Sequence, residues 1–314
     1  MYFFLKSFSF LVSILPFKAS FARVLGSLLW LLLPSKRKAL AISNLTRSLA
    51  LPLDKAKHLA EQSAILLAET FFEVLSLPII IPAMRRIVSL HGFEHILEYK
   101  AKSGRGGIIM TCHSDNWELM GGAFAQNGIK LVGVAKKQKS SGADKFINEM
   151  RELLGMEIRY REQVRELYRL LDEGHFIGLI MDQDIGREDG VVVKFFNQAT
   201  NFASGAASMS RFRKVPIFPA FMHRNADGTH TLEISEPLMT ERTGDKRADI
   251  KKMTQRLARL IEEHVRKYPA EWFWLHDRWK SMREEYTAEE VARLEKELGI
   301  DNNSADNAAK CAGG

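Results

Sequence analysis

A histidine stands at the end of a buried apolar run, five residues before a carboxylate, and this pairing is the chemistry the chain most plainly offers. Ile108 to Cys112 reads as a buried strand, His113 closes it, and Asp115-Asn116-Trp117-Glu118 carries a helix-start signal. Residues five apart on a straight helix are separated by roughly 140°. His113 and Glu118 can therefore meet only across a strand–helix junction, with Glu118 in the first helical turn. There Glu118 could hold one ring nitrogen while the other faces a substrate, and His113 would act as general base. No nucleophile is obligatory in the motif, which suits activating a substrate hydroxyl. The same residues also fit a capping box in which Glu118 merely closes the helix start. Spacing alone leaves both readings open.

Ser114 and Cys112 flank the histidine and raise the alternative of an acyl-enzyme. Strand neighbours alternate faces, so Cys112 is expected in the core and direct transfer is the better reading. Backbone N–H groups at the helix start near Asp115 could receive an oxyanion. No metal-ligand cluster and no Gly-rich nucleotide loop occurs in the sequence, so neither metal nor cofactor is expected.

The segment His113-Ser-Asp-Asn-Trp-Glu118 resembles the signature of the late acyltransferases of lipid A biosynthesis (the lauroyl and myristoyl transferase type), within the glycerolipid acyltransferase superfamily. Arg151 resembles the arginine of that family's second block. Asp182-Gln183-Asp184, Gly190 and Val193-Lys-Phe-Phe-Asn197 resemble the third, and Pro216 to Arg224 and Glu271 to Lys280 the fourth block and the tryptophan-rich closing segment. The resemblance runs from about residue 20 to residue 283. It implies a membrane-bound enzyme that moves a fatty acyl chain from acyl carrier protein to a hydroxyl of a lipid A precursor. It also implies the bacterial inner membrane, with the active site facing the cytoplasm. Rival readings are a lysophospholipid or aminolipid O-acyltransferase of the same superfamily, a thioesterase-like hydrolase, and a non-catalytic membrane scaffold. The intact His113/Glu118 pair argues against the scaffold.

Under this resemblance His113 and Glu118 are the catalytic expectation. Arg151, Asp182, Asn116 and Asp115 are expected to bind substrate or support the site. Arg151 could equally be a solvated helix arginine, and Asp182, at the end of an apolar run, could be either a brace or a buried paired carboxylate. Three positions depart from the family pattern: Asp115 and Asn197 stand where relatives usually carry Gly, and Gln198 where they carry Pro. Asn tolerates left-handed backbone. Asp115 would add a negative charge beside the base.

The net charge is +7, and its location is informative. Residues 1–53 hold seven cations (Lys6, Lys18, Arg23, Lys36, Arg37, Lys38, Arg47) and no Asp or Glu. The excess thus sits in an apolar N-terminal segment, the pattern of a surface facing an anionic membrane and not of a nucleic-acid-binding face. Two apolar stretches, 2–17 and 19–33, each fall short of the ~20 residues that span a bilayer. The resemblance implies a single pass, whereas the stretches fit an interfacial helical hairpin at least as well. A signal peptide is disfavoured because no convincing cleavage site follows. Between Lys130 and Arg169, ten Lys/Arg face six Asp/Glu, a basic rim suited to an acidic carrier protein or a phosphorylated lipid.

To position the pair, strand-like runs at 108–112, 131–135, 176–181, 191–196, 217–222 and 231–234 alternate with helical patterns at 54–77, 144–154, 163–172, 204–213 and 249–267. This alternation predicts an α/β fold, a central mixed sheet flanked by helices as in glycerolipid acyltransferases, with membrane-associating helices at the N-terminus. The expected organisation is an anchoring segment 1–48, an acyltransferase domain 49–283, and a C-terminal helix and disordered tail 284–314. Thr287 and Glu290 form a credible capping box. Trp272, Trp274 and Trp279 could be core or an interfacial belt. Cys112 and Cys311 are unsuited to pair, one being buried and the other in a polar tail.

Overall fold

A computed structural model describes residues 1–14 and 18–300. The expected disordered tail and Cys311 lie outside the described residues.

Among the described residues nine strands are present: β1 (Val88–His91), β2 (Ile108–Thr111), β3 (Leu131–Ala135), β4 (Glu157–Tyr160), β5 (Phe176–Ile180), β6 (Gly190–Phe195), β7 (Gln198–Ala203), β8 (Ile217–Arg224) and β9 (His230–Ile234). Seven form one sheet in the order β1-β9-β8-β2-β5-β3-β4, and β6 and β7 form a separate antiparallel hairpin. Within the large sheet only the β8–β9 pair is antiparallel. The mixed α/β sheet read from the sequence is the observed architecture. β2 lies centrally, parallel to both neighbours and buried on both faces, which is why it reads as an unbroken apolar run.

Helices cover the two faces. One layer includes Lys246–Lys267, capped by the Asp245 side chain and burying Ile250, Met253, Leu257, Ile261 and Val265 along one stripe. It packs with Cys112, Met110 and Ile108. The opposite layer carries Trp117–Gln126 and Ser141–Leu153, against Ile109. The final helix, Ala288–Glu297, opens on a capping box in which Thr287 and Glu290 bond reciprocally.

Among the described residues, three helices come before the long helix Leu53–Leu75. Tyr2–Ile14 packs on Leu53–Leu75 and Ser141–Leu153, and Lys18–Leu32 lies along Leu53–Leu75. Ser35–Leu49 belongs with the catalytic body: Ala41 and Leu45 are in its core, and Asn44 donates to the carbonyls of Trp274 and His276, both at 3.0 Å. The division expected at residue 48 therefore cuts through packed structure. Among the described residues no single helix is long and apolar enough to cross a membrane. A bent pair, Leu53–Leu75 with Leu77–Ile87, meets that test only across a 73° turn.

Candidate active site

Register explains how the site is built. Thr111 on β2 is level with Ile180 on β5, so two residues further on His113 and Asp182 emerge side by side at the carboxyl end of the sheet. Ligands of open α/β sheets bind at this end. Asp182 Oδ1 lies 2.7 Å from His113 Nδ1, and Asp182 Oδ2 accepts the His113 backbone N–H at 3.0 Å and the Trp272 indole N–H at 2.6 Å. Burial alone would raise the Asp182 carboxyl, but the His113 ring and these hydrogen bonds hold it below its ordinary value. A carboxylate at Nδ1 fixes the tautomer with its proton there, leaving Nε2 as the basic nitrogen. Gln183 Nε2 lies 3.3 Å from that Nε2. Trp117 packs edge-on to the ring, with centroids 4.9 Å apart.

The pairing expected of Glu118 is therefore corrected. Glu118 is the second residue of the helix Trp117–Gln126, and it forms a two-pronged ion pair with Arg151: Nε to Oε2 at 2.9 Å and Nη2 to Oε1 at 2.6 Å. The capping-box alternative is displaced as well. Asn116 is the N-cap, its Oδ1 accepting the Leu119 N–H at 3.0 Å. Nor is Arg151 a solvated arginine, since its side chain is 17% exposed and pinned to Glu118.

Asp115 does not sit beside the base. It adopts φ +49°, a left-handed conformation that glycine takes without cost, which fits the Gly expected at this position from the resemblance. Asn197 likewise has φ +53°. The buried Asp115 carboxylate lies 2.6 Å from His230 Nδ1 and 3.2 Å from Arg224 Nη2. Arg224 also pairs with Glu73, and Asn116 Nδ2 donates to Glu73 at 2.8 Å. These contacts tie the His113–Glu118 loop to the helix Leu53–Leu75 and to β8 and β9. Burial would lower His230, but Asp115 and Glu73 raise it to about 9. Burial would raise Glu73, but His230 and Arg224 lower it to about 2. Glu271, pushed up by burial and by Asp115, sits at about 8. The Asp115 N–H is spent on the Glu271 carbonyl at 3.2 Å, so it is no oxyanion donor. Trp117 and Glu118 carry the first N–H groups of the helix, which have no intrahelical acceptor.

Cys112 is buried on the face opposite the site, its thiol pushed up by burial. Ser114 is buried too, with Oγ 3.1 Å from His264 Nε2. All three tryptophans of the closing segment are core residues, against the interfacial-belt alternative. Trp272 and Gln183 are site residues that sequence reasoning did not assign. A tryptophan 90 positions from its acceptor gives no local signal.

His113, Glu118, Arg151 and Gln183 line a cavity of about 330 Å³. Its floor is the sheet. Ile109, Gly178, Gly133 and Ile158 are level across β2, β5, β3 and β4, and all four line it. Two adjacent glycines without side chains make a trough between flanking isoleucines. Met120 and Gly121 roof it from the helix Trp117–Gln126. A base at the mouth of an apolar trough is an arrangement for reacting the polar end of a long apolar substrate.

The chain is 29% identical over 182 residues to a phosphatidylinositol mannoside acyltransferase of Mycolicibacterium smegmatis, covering 56% of this chain and 58% of that one. It is 24% identical over 186 residues to a lipid A biosynthesis acyltransferase of Haemophilus influenzae, covering 59% and 56%. The aligned region thus spans somewhat over half the length of these relatives. A solved 1-acyl-sn-glycerophosphate acyltransferase of Thermotoga maritima aligns at TM-score 0.35 and 13% identity, over 74% of this chain and 98% of that one. The family model described as bacterial lipid A biosynthesis acyltransferase matches residues 1–281, and the chain belongs to that family.

Proposed function

We propose that the chain is a membrane-docked acyltransferase that moves a fatty acyl chain from acyl carrier protein to a hydroxyl of a lipid A precursor. It works at the cytoplasmic face of the bacterial inner membrane. The observation that carries this reading is the His113–Asp182 pair at the mouth of the glycine-floored trough. The acyl chain lies in the trough with its thioester carbonyl at the His113 end. His113 Nε2 takes the proton of the acceptor hydroxyl as its oxygen attacks that carbonyl. The N–H groups of Trp117 and Glu118 face the developing oxyanion. Collapse expels the thiolate, which takes the proton back from the imidazolium. The products are an ester and a free carrier thiol.

Glu118 and Arg151 act here as a brace between two helices walling the trough. Lys136, exposed and lining the cavity mouth, and its exposed neighbours Lys137 and Lys139 favour an acidic donor. The mannoside relative favours a second reading, a phosphorylated glycolipid acceptor other than a lipid A precursor. Purified protein given acyl carrier protein thioesters and each acceptor in turn, with products weighed by mass spectrometry, tests both. Ester formation on the lipid A precursor supports the first reading, and ester only on a mannosylated phospholipid supports the second. Free fatty acid alone would show a hydrolase and overturn both.

A further inference from the structure

We infer that Met156 is the end stop of the acyl trough and sets the length of chain the protein transfers, an inference that rests on the acyltransferase reading above. Register gives the distance. Ile108, Ile177, Val132 and Glu157 are level across the four strands, so Met156 lies one residue deeper than Ile108. From the level of His113 this is six residues, about 20 Å at the rise of a strand. The cavity's lining runs from His113 back to Leu131, and the Met156 side chain reaches forward from the deep end to Gly133, level with Ile109.

Alongside β4 is a second hollow of about 220 Å³, lined by Asn148, Glu152, Glu157, Arg159 and Tyr160. Met156 and Ile158 line both spaces, so these two side chains are the partition. Ile158 belongs to β4 and is β-branched, with few rotamers. Met156 is not in a strand. It follows the turn at Gly155 (φ +85°) and is half-buried. Its unbranched thioether can fill or vacate a gap by rotation alone.

Its packing is equally particular. A Cβ built on Gly121 would fall 2.4 Å from Met156 Sδ, and one on Gly133 would fall 3.3 Å from its Cε. The side chain thus lies in the space that two glycines, one in the roof and one in the floor, leave open. A shorter residue at 156 would vacate the space between Gly121 and Gly133 and lengthen the apolar trough, and a bulkier one would shorten it.

The test is a competition among acyl carrier protein thioesters of ten to eighteen carbons, read as the mass distribution of the acylated lipid. Each methylene that gains or loses apolar contact changes relative use about fourfold. Met156→Ala and the milder Met156→Val are expected to move the preferred length up by about two carbons, a shift of roughly 15-fold in the ratio of adjacent even chains. Met156→Phe is expected to move it down. Gly178→Ala should also disfavour longer chains, and its Cβ meets nothing nearer than Leu131 Cδ1, at an ordinary 3.5 Å. A folded Met156→Ala or Met156→Val protein that keeps the wild-type distribution would overturn the end-stop assignment. Wild-type protein that transfers no acyl chain to any lipid would instead overturn the acyltransferase reading beneath it.

Discussion

Asp182 Oδ1 lies 2.7 Å from His113 Nδ1 while its Oδ2 holds the backbone N–H of the same histidine at 3.0 Å. One carboxylate thus fixes both the ring and the main chain that carries it. The second oxygen is shared with the Trp272 indole, so the carboxylate cannot swing away without leaving buried donors unpaired. Parallel pairing of β2 and β5 makes this possible, because it brings two strand ends 69 residues apart to the same level.

The first expected outcome concerns that carboxylate. Asp182→Asn keeps the shape but offers an amide to Nδ1, favouring the wrong tautomer. Its kcat should fall about 10²–10⁴-fold, as should that of His113→Ala. Turnover measured beside thermal midpoints checks this. An Asp182→Asn protein with wild-type turnover would remove Asp182 from the mechanism.

Glu118 gives a contrasting case. As the partner of Arg151 it is a brace, and removing either residue leaves the other buried and unpaired, at about 3 kcal/mol. Glu118→Ala and Arg151→Ala should therefore lower the thermal midpoint by similar amounts, and the double variant should be less unstable than their sum. Activity lost at 37 °C should be largely regained well below the midpoint. If Glu118→Ala stays inactive while fully folded, Glu118 is acting on the reaction itself.

The strand–helix junction and the histidine were legible because β2 is a buried parallel strand, whose apolar run is unbroken in one dimension. The helices with strong stripes, such as Lys246–Lys267, were legible for the same reason. The partner of His113 was not. Asp182 stood out as a brace at a strand end, but choosing it over Glu118 requires knowing that β5 neighbours β2, a fact of topology. β1 and β4 escaped notice because each is four residues long at a sheet edge, with polar residues on the exposed side. β7, Gln-Ala-Thr-Asn-Phe-Ala, was concealed by its polar composition, although Thr200 and Asn201 are fully buried under the C-terminal segment.

The buried cluster around Asp115 should make stability pH-dependent. His230, at about 9, is raised above its ordinary value, so its contribution is complete below about 6.5 and is lost as pH rises through 9. Glu271 is a carboxyl raised to about 8, so the folded state binds a proton that the unfolded chain releases near 4.5. Stability from this group therefore falls between pH 4.5 and 8. The two slopes have the same sign between pH 6.5 and 8. Glu271→Gln should flatten the decline and raise the midpoint more at pH 8 than at pH 5. Equal shifts at both values would show that Glu271 titrates normally.

The last expectation concerns the N-terminal helices. Phe4, Phe10 and Leu32 are 67%, 66% and 80% exposed, and the cations Lys36, Arg37 and Lys38 follow directly in the sequence. Exposed apolar helices flanked by uncompensated positive charge are suited to lie in the interface of an anionic bilayer. Deleting residues 1–35 is a poor test, because Tyr2 bonds Glu149, Ser9 bonds the Leu75 carbonyl, and the helix Lys18–Leu32 packs along Leu53–Leu75. A truncated protein could lose activity through lost packing alone. Surface substitutions separate the two causes. Phe4→Asp with Leu32→Asp should abolish sedimentation with anionic vesicles and leave the thermal midpoint within a few degrees. Reversing Lys36, Arg37 and Lys38 to Glu should weaken binding to anionic vesicles, each cation contributing about 1 kcal/mol near such a surface, with the loss masked at high salt. A Phe4→Asp, Leu32→Asp protein that still sediments with vesicles would place the membrane contact on another face of the molecule.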